Sequence, residues 1–489
     1  MNGHRLRLAL EPSLAERYGP EIHWVWRLLL TGAGWAWEEV PLESPCDIAY
    51  VSELAAAPSA RLRVRADPAA WARAGTLRLA GAASHDGLMH PVFAQDGAAA
   101  YPLQRGDGWV ECQRDLIFDV YWLATGQEER HWPQDRHGFF DLTGTPMLQQ
   151  GILRQALASQ IGAWLEETLR GLGLPAPEPR WPHGKRAAAG VEHDVDYPEI
   201  VRWLEPLRVL RRLGRRGIGP ALEMLAGRRT HWHFPNWVNL EKGMGIRSAF
   251  YFVARRGSLL AYAAGTPDPF YDITSERFRR LFRYLADEGF EIGLQASYLA
   301  YQRREKFAAE KERLEEASGQ KVVGNHHHYW HLHPTNPEET LLIHEQIGLL
   351  YDSSLAHDRY LGWRRALAQP FFPFHQAERR ELRTLQLPLA WMDDQLFGQR
   401  AYNPGDRMAL LQGLVDRAAR LGGSLLIDVH EYVWDDALFP DWARTYRGLL
   451  AYLQARGDFW LATPAEIAQH WAARYTALVR ASRGLRKGM

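Results

Sequence analysis

From residue 186 onward the chain alternates short apolar, β-prone runs that end in polar residues with longer helical segments. The runs are AAAGVEHD, IRSAFYFVA, FEIGL, KVVGNHHHY, LLYDSS, TLQLPLAWM, SLLIDVH and DFWLA, and SERFRRLFRYLADEG and REKFAAEKERLEEASG are two of the helical segments between them. Strands that take turns with helices make βαβ units and a parallel sheet. About eight of them predict a barrel or partial barrel. The last helix carries its own start signal, Thr463-Pro464-Ala465-Glu466, with a hydroxyl cap, proline at the first position and glutamate three after the cap.

Upstream the texture differs. Residues 174–185, LPAPEPRWPHGK, hold Pro175, Pro177, Pro179 and Pro182, which disfavour helix and interrupt a central strand. Before them come the apolar run DIAYV, the aromatic stretch LIFDVYWLATGQEE, and a pattern with helical spacing from Met147 to Leu172. The predicted organisation is a smaller α/β domain of unassigned role over 1–173, a Pro-rich linker over 174–185, and a larger α/β barrel over 186–489.

Composition narrows the function. In 489 residues, 58 basic side chains balance 58 acidic ones, so the broad positive footprint of a nucleic-acid binder is missing and no nucleic-acid partner is expected. Cys46 and Cys112 are the only cysteines, too few for a disulfide framework or a thiolate metal cluster, so any metal must use histidine and carboxylate. No apolar run suits a leader or a membrane span, which predicts a cytoplasmic protein without an integral membrane segment. The C-terminal tail, with Arg480, Arg483, Arg486 and Lys487 and no acid, reads as a solvated helix end. Oligomeric state is not readable.

In parallel α/β folds chemistry gathers at the carboxyl ends of the strands, where loops converge. Here those ends read His193-Asp194-Val195-Asp196, Gln295-Ala296-Ser297-Tyr298, His326-His327-His328-Tyr329, Asp352, Asp393-Asp394 and Asp428-Val429-His430-Glu431. Strand alternation puts Asp194 and Asp196 on one face about 7 Å apart, where one could bind a metal while the other takes a proton; a turn or helix cap is the plainer reading. Between Asn325 and His333 stand five histidines in nine positions, and His326 and His328 share a face if extended. His331 and His333 are expected to be exposed and idle. His430 is flanked by Asp428 and Glu431, which would raise its proton affinity and suit it to act as an acid, although a strand-end histidine bonded to a carbonyl looks the same in sequence. Asp393 could orient a catalytic partner or cap a turn. Trp330, Trp363, Trp391 and Trp434 would suit sugar stacking, or simply core.

In order and spacing, HDVD, GFEIGLQASY, HHHYW and LLIDVHEY resemble the motifs of the polysaccharide deacetylase family, carbohydrate esterase family four, over about residues 186 to 470. GIRSAFYFVA, QIGLLYDSSL, Gly362-Trp363-Arg364 and FDVYWLATGQEERHWPQDRHGFF are similar to an uncharacterised bacterial subgroup linked to surface-polysaccharide loci, in which a separate N-terminal domain precedes the barrel. The resemblance implies a NodB-like deformed (β/α) barrel and metal-dependent removal of acetyl groups from an acetylated saccharide. It would make Asp194 the general base, Asp196 a metal ligand and His430 the general acid, with Tyr329, Arg364 and Asp393 on the substrate. The expected cofactor is a divalent metal ion, zinc first, with cobalt, nickel or manganese as alternatives.

Two positions depart from the family pattern. Gln295 stands where a metal-binding histidine is usual, and Leu299 where a second follows. Glutamine oxygen is a weak neutral donor, so His326 and His328 are expected to complete the site with Asp196. The competing expectations are a degenerate homologue that binds saccharide or scaffolds a biosynthetic complex, and a metal-free glycosidase using two of Asp194, Asp196 and Asp393.

Overall fold

The computed structural model of the chain describes residues 5–95, 103–200, 204–398 and 403–483. Two sheets organise it. The first holds β1 (Leu6–Leu10), β2 (Trp37–Val40), β3 (Ile48–Val51), β4 (Leu62–Arg65), β7 (Leu103–Gly106) and β8 (Trp109–Cys112) in the order β2-β1-β3-β4-β8-β7, parallel except for the β7–β8 hairpin. A separate hairpin joins β5 (Leu79–His85) to β6 (Leu88–Phe93).

The second sheet contains β9 (Ala187–Val195), β10 (Ala249–Val253), β11 (Glu291–Ala296), β12 (Gly324–His327), β13 (Tyr351–Asp352), β16 (Leu385–Gln386), β17 (Leu389–Met392), β18 (Ser424–Asp428) and β19 (Phe459–Leu461). Its order is β16-β13-β12-β11-β10-β9-β18-β17, all parallel, with β19 paired to the first residues of β9. A small antiparallel pair, β14 (Phe374–His375) with β15 (Arg380–Glu381), lies apart. The expected run TLQLPLAWM is split, because Pro388 has no amide hydrogen for a ladder. Its halves pair with opposite ends of the sheet, so two residues of covalent chain bring those ends together. This is a deformed parallel barrel closed by backbone rather than by hydrogen bonds.

Strands β9 and β10 are buried along their whole length, as parallel strands covered on both faces must be. Inside, Tyr251 and Tyr351 touch hydroxyl to hydroxyl at 2.7 Å and bond to Glu192 (3.0 Å) and Glu291 (2.6 Å). A Cβ at Gly293 or Gly324 would overlap these rings, so the two glycines are what allow tyrosines to fill the barrel below the strand ends.

The Thr463–Glu466 capping box forms as expected, with Thr463 N–H on Glu466 and Glu466 N–H on Thr463. The aromatic stretch is a helix, Leu116–Ala124, whose first turn is capped by Asp115. The pattern from Met147 to Leu172 is not one helix. It divides into Pro146–Gln149, Ile152–Arg154 and Leu157–Gly171, because Gly151 and Ala156 take positive φ (64° and 50°) where Trp363 N–H bonds Leu153 O. Residues 174–185 are largely irregular, with Trp181 buried against Trp471. Among the described residues no helix is long and apolar enough to cross a membrane, and the tail beyond Arg483 lies outside them.

One apolar core runs from the first sheet and its helices into Leu332, Leu341, Leu355, Tyr360, Phe371 and Phe374 of the barrel side. Buried Glu129 adds a polar tie to Arg364 (2.9 Å) and Arg365 (3.3 Å).

Candidate active site

Alternation along β9 turns Glu192, Asp194 and Asp196 inward and His193 outward, where it bonds Glu241 (2.6 Å) and Val429 O (2.9 Å). In register, Gln295 lies beside His326, so the inward groups stack in levels along the barrel axis.

At the deeper level, Asp194 Oδ2 lies 3.1 Å from His326 Nε2, and the other ring nitrogen faces Ser353 Oγ (3.4 Å) and Glu192 (3.5 Å). Asp428 completes the group: one donor atom from each of Asp194, His326 and Asp428 lies within 4.8 Å of the others, and all three residues are buried. Asp194 Oδ1 and both Asp428 oxygens have no hydrogen-bond partner among the described residues. Burial, together with the Asp194 charge, pushes the Asp428 carboxyl well up. Burial opposes a charge on His326, but Asp194 and Glu192 outweigh it and hold the ring well above its ordinary proton affinity. A divalent cation would relieve both the crowding of negative charge and the missing partners, and one nitrogen with two oxygens is a donor set for such an ion with a position left open. The residues fit a metal at Asp194, His326 and Asp428.

One level nearer the mouth, Asp196 accepts from the Gln295 amide (3.1 Å) and faces His328 Nε2 (3.5 Å) and His430 Nε2 (3.6 Å). Burial works against its charge, yet His328, then His430 and Gln295, hold the Asp196 carboxyl down to about 2. His328 also meets Asp268 at 3.2 Å and, against burial, rises to about 10 beside the two carboxylates. The His430 ring bonds Asp393 through Nδ1 at 2.8 Å; Asp393 and Asp196 overcome burial and keep its affinity for a proton well up. Glu431 accepts the backbone N–H of Asp196 and Tyr197 and so fixes the end of β9.

The rim is aromatic. Tyr329, at φ 61°, stacks on Phe139 at 5.8 Å and 6°, and His137 bonds the Tyr298 hydroxyl at 2.9 Å. Beside Asp196 and His430 a cavity of about 180 Å³ is lined by Tyr197, Glu205, Arg208, Arg212, His231 and Tyr432.

The expected ligand set Asp196, His326 and His328 is therefore divided between two levels: His326 joins Asp194, and His328 joins Asp196. Asp393 holds His430 instead of facing a substrate. Arg364 lies outside the mouth, bonded to Glu129 and set over the Phe140 ring. His331, expected to be exposed, is buried against Tyr298 and bonds its carbonyl at 2.8 Å. Sequence reasoning passed over Asp428 as a ligand, although it precedes His430 by two on the same strand face. It had no means of finding Asp268, which arrives from an irregular loop, and it marked the segment that carries Phe139 only as a family signature, without placing it at the mouth.

The folded chain is similar to polysaccharide deacetylases. A protein assigned as one from Mycobacterium smegmatis is 19% identical over 60% of this chain and 93% of its own, with a TM-score of 0.39. A second, from Pseudomonas aeruginosa PAO1, is 20% identical over 61% and 95%, at 0.41. A Puue allantoinase is 19% identical over 62% and 96%, at 0.42. No sequence-family model and no curated protein matches the chain.

Proposed function

We propose that the protein is a metal-dependent deacetylase that hydrolyses an N-acetyl, or O-acyl, group on a saccharide of bacterial surface-polysaccharide metabolism. The observation that carries this reading is the adjacency of two sites: a buried Asp194–His326–Asp428 donor set directly below the Asp196–His430–Asp393 chain. A divalent ion, with zinc the first candidate, would be held by Asp194, His326 and Asp428, and when bound it supplies polarisation of the acyl carbonyl and a more acidic water.

The remaining work belongs to the chain. Asp196, at the level next to the donor set and facing His328 and His430, is placed to take the proton of the attacking water. His430, oriented by Asp393, gives its Nε2 proton to the departing nitrogen or oxygen. In this arrangement Asp194 and Asp196 exchange the roles that the family resemblance implies. The 1–173 unit completes the mouth through Phe139 and His137.

A second reading, a degenerate homologue that binds saccharide without hydrolysis, draws on one observation: the Gln295 amide bonds Asp196 at the position where the family has a metal-binding histidine. The test is acetate release from a panel of acetylated amino sugars by the full-length protein, before and after chelation and after return of zinc or cobalt. The deacetylase reading expects release that chelation abolishes and metal restores. Metal-loaded protein that binds saccharide but frees no acetate favours the second reading.

A further inference from the structure

The eight exposed large apolar side chains of the described residues all fall between positions 207 and 262: Leu207, Leu210, Ile218, Leu222, Leu225, Leu259, Leu260 and Tyr262. They are strongly exposed, with Leu207 at 62%, Leu222 at 60% and Leu260 at 85%. They are also together in space. Helices Glu205–Leu213 and Ile218–Leu225 pack as a hairpin, and the Arg208 guanidinium reaches from the first of them to the Tyr262 hydroxyl (2.7 Å) on the helix Leu259–Ala263. A contiguous apolar patch of this kind on a chain with an ordinary core marks a contact surface.

Charge identifies the occupant. Residues 205–229 hold seven arginines against two glutamates in a chain whose formal charge is zero. Arg208 is paired with Glu205, and Arg229 with Glu223 and Asp435. Arg211, Arg215, Arg216 and Arg228 are exposed and make no ion pair among the described residues. A second copy of this face would bring the same arginines against one another across a two-fold axis, which disfavours self-pairing. Exposed leucines set among unpaired arginines match a surface that is apolar beneath and anionic above.

We propose that the Glu205–Leu213 and Ile218–Leu225 hairpin, together with Leu259, Leu260 and Tyr262, docks the protein peripherally on an anionic lipid bilayer. The leucines enter the acyl boundary and the arginines meet headgroup phosphates, without any spanning segment. Arg208 also lies over the Tyr197 ring at 5.5 Å, next to Asp196, so docking turns the barrel mouth towards the membrane plane. The dock stands on surface chemistry and is independent of the hydrolytic reading.

The test is co-sedimentation of the full-length protein with vesicles of phosphatidylcholine alone or mixed with phosphatidylglycerol, at low and high salt. Wild type should sediment with the phosphatidylglycerol vesicles and be released by salt. Arg211→Gln/Arg215→Gln/Arg216→Gln should weaken partitioning about a hundredfold, as expected of three lost headgroup contacts. Leu222→Ser/Leu225→Ser should abolish it with the thermal midpoint unchanged. Failure of wild type to sediment with anionic vesicles, or sedimentation untouched by both variants, overturns the proposal. A wild-type dimer in analytical ultracentrifugation that the leucine variant converts to monomer also overturns it, because the face would then be an interface between copies.

Discussion

Asp393 grips His430 at two points: one carboxylate oxygen bonds ring Nδ1 at 2.8 Å and the other accepts the His430 backbone N–H at 2.9 Å. The grip fixes both the tautomer and the direction of the ring, leaving Nε2 facing Asp196 at 3.6 Å. It ties β17, which Asp393 follows, to the end of β18. In the proposed mechanism Asp393 would therefore act through His430, as the residue that positions the acid.

Replacing Asp393 with asparagine keeps the shape but removes the charge that holds the His430 proton. The expected result is a fall in kcat of at least about a hundredfold with little change in KM, the size of effect general acid catalysis supplies. The check is steady-state kinetics across pH: a profile and kcat like those of wild type would mean that His430 is not the acid.

Metal content separates the two possible ligand sets. Asp428→Asn and His326→Ala should each lose a stoichiometric divalent ion after purification without a histidine tag, because each removes one member of a three-residue donor set. His328→Ala should retain it, since His328 faces Asp196 and Asp268. Loss in His328→Ala with retention in Asp428→Asn would instead support a site built on Asp196.

Much of the barrel was legible because a parallel sheet covered on both faces writes itself as apolar runs with polar ends. Asp194, Asp196, His326, His328 and His430 were all marked by that rule, and the fold brings them together in two adjoining levels, Asp194 with His326 and Asp196 with His328 and His430. What a strand pattern cannot convey is depth. Residues two apart on one strand share a face but occupy different levels, so the partnership of His326 with Asp194, and of His328 with Asp196, depends on the stagger between β9 and β12. Arg364 was misjudged for a related reason: a cation near a motif looks the same in sequence whether its partner is a substrate or Glu129, 235 positions away. The break at Ala156 was hidden too, since alanine ordinarily favours helix and nothing in the local sequence marks its positive φ.

Glu129 is the charge on which two buried arginines rely. Glu129→Gln would leave Arg364 without its only carboxylate among the described residues and Arg365 with Glu338 alone at 3.5 Å. Breaking a buried ion pair from one side costs about 3 kcal/mol or more. The unfolding midpoint in urea should drop accordingly, and an unmoved midpoint would show that the tie between the N-terminal part and the barrel is apolar alone.

Phe139 offers a test of the rim. It stacks on Tyr329 without touching either the donor set or the Asp196 chain. Phe139→Ala should raise KM for a saccharide substrate roughly tenfold while kcat stays near wild type, as expected when an aromatic contact worth about 1 kcal/mol and its burial are lost from binding. A fall in kcat with KM unchanged would place Phe139 in support of the chemistry instead.

Glu310 gives the fold a dependence on pH. Its carboxylate accepts the N–H and hydroxyl of Ser297, just past β11, at 2.8 and 2.5 Å, but burial dominates and pushes its pKa up to about 7 from the ordinary glutamate value of 4.5. The folded protein therefore holds this proton more tightly than the unfolded chain does. Stability from this group is fully present below about pH 4.5, where both states are protonated, and declines as pH rises towards 7, where the unfolded chain has ionised and the folded one has not. Above 7 the loss levels off at about 3 kcal/mol. Glu310→Gln keeps an acceptor for Ser297 and carries no charge, so between pH 5 and pH 8 the denaturation midpoint of wild type should fall more steeply than that of the variant. Parallel slopes would show that Glu310 is ionised in the folded protein and that its two bonds to Ser297 outweigh its burial.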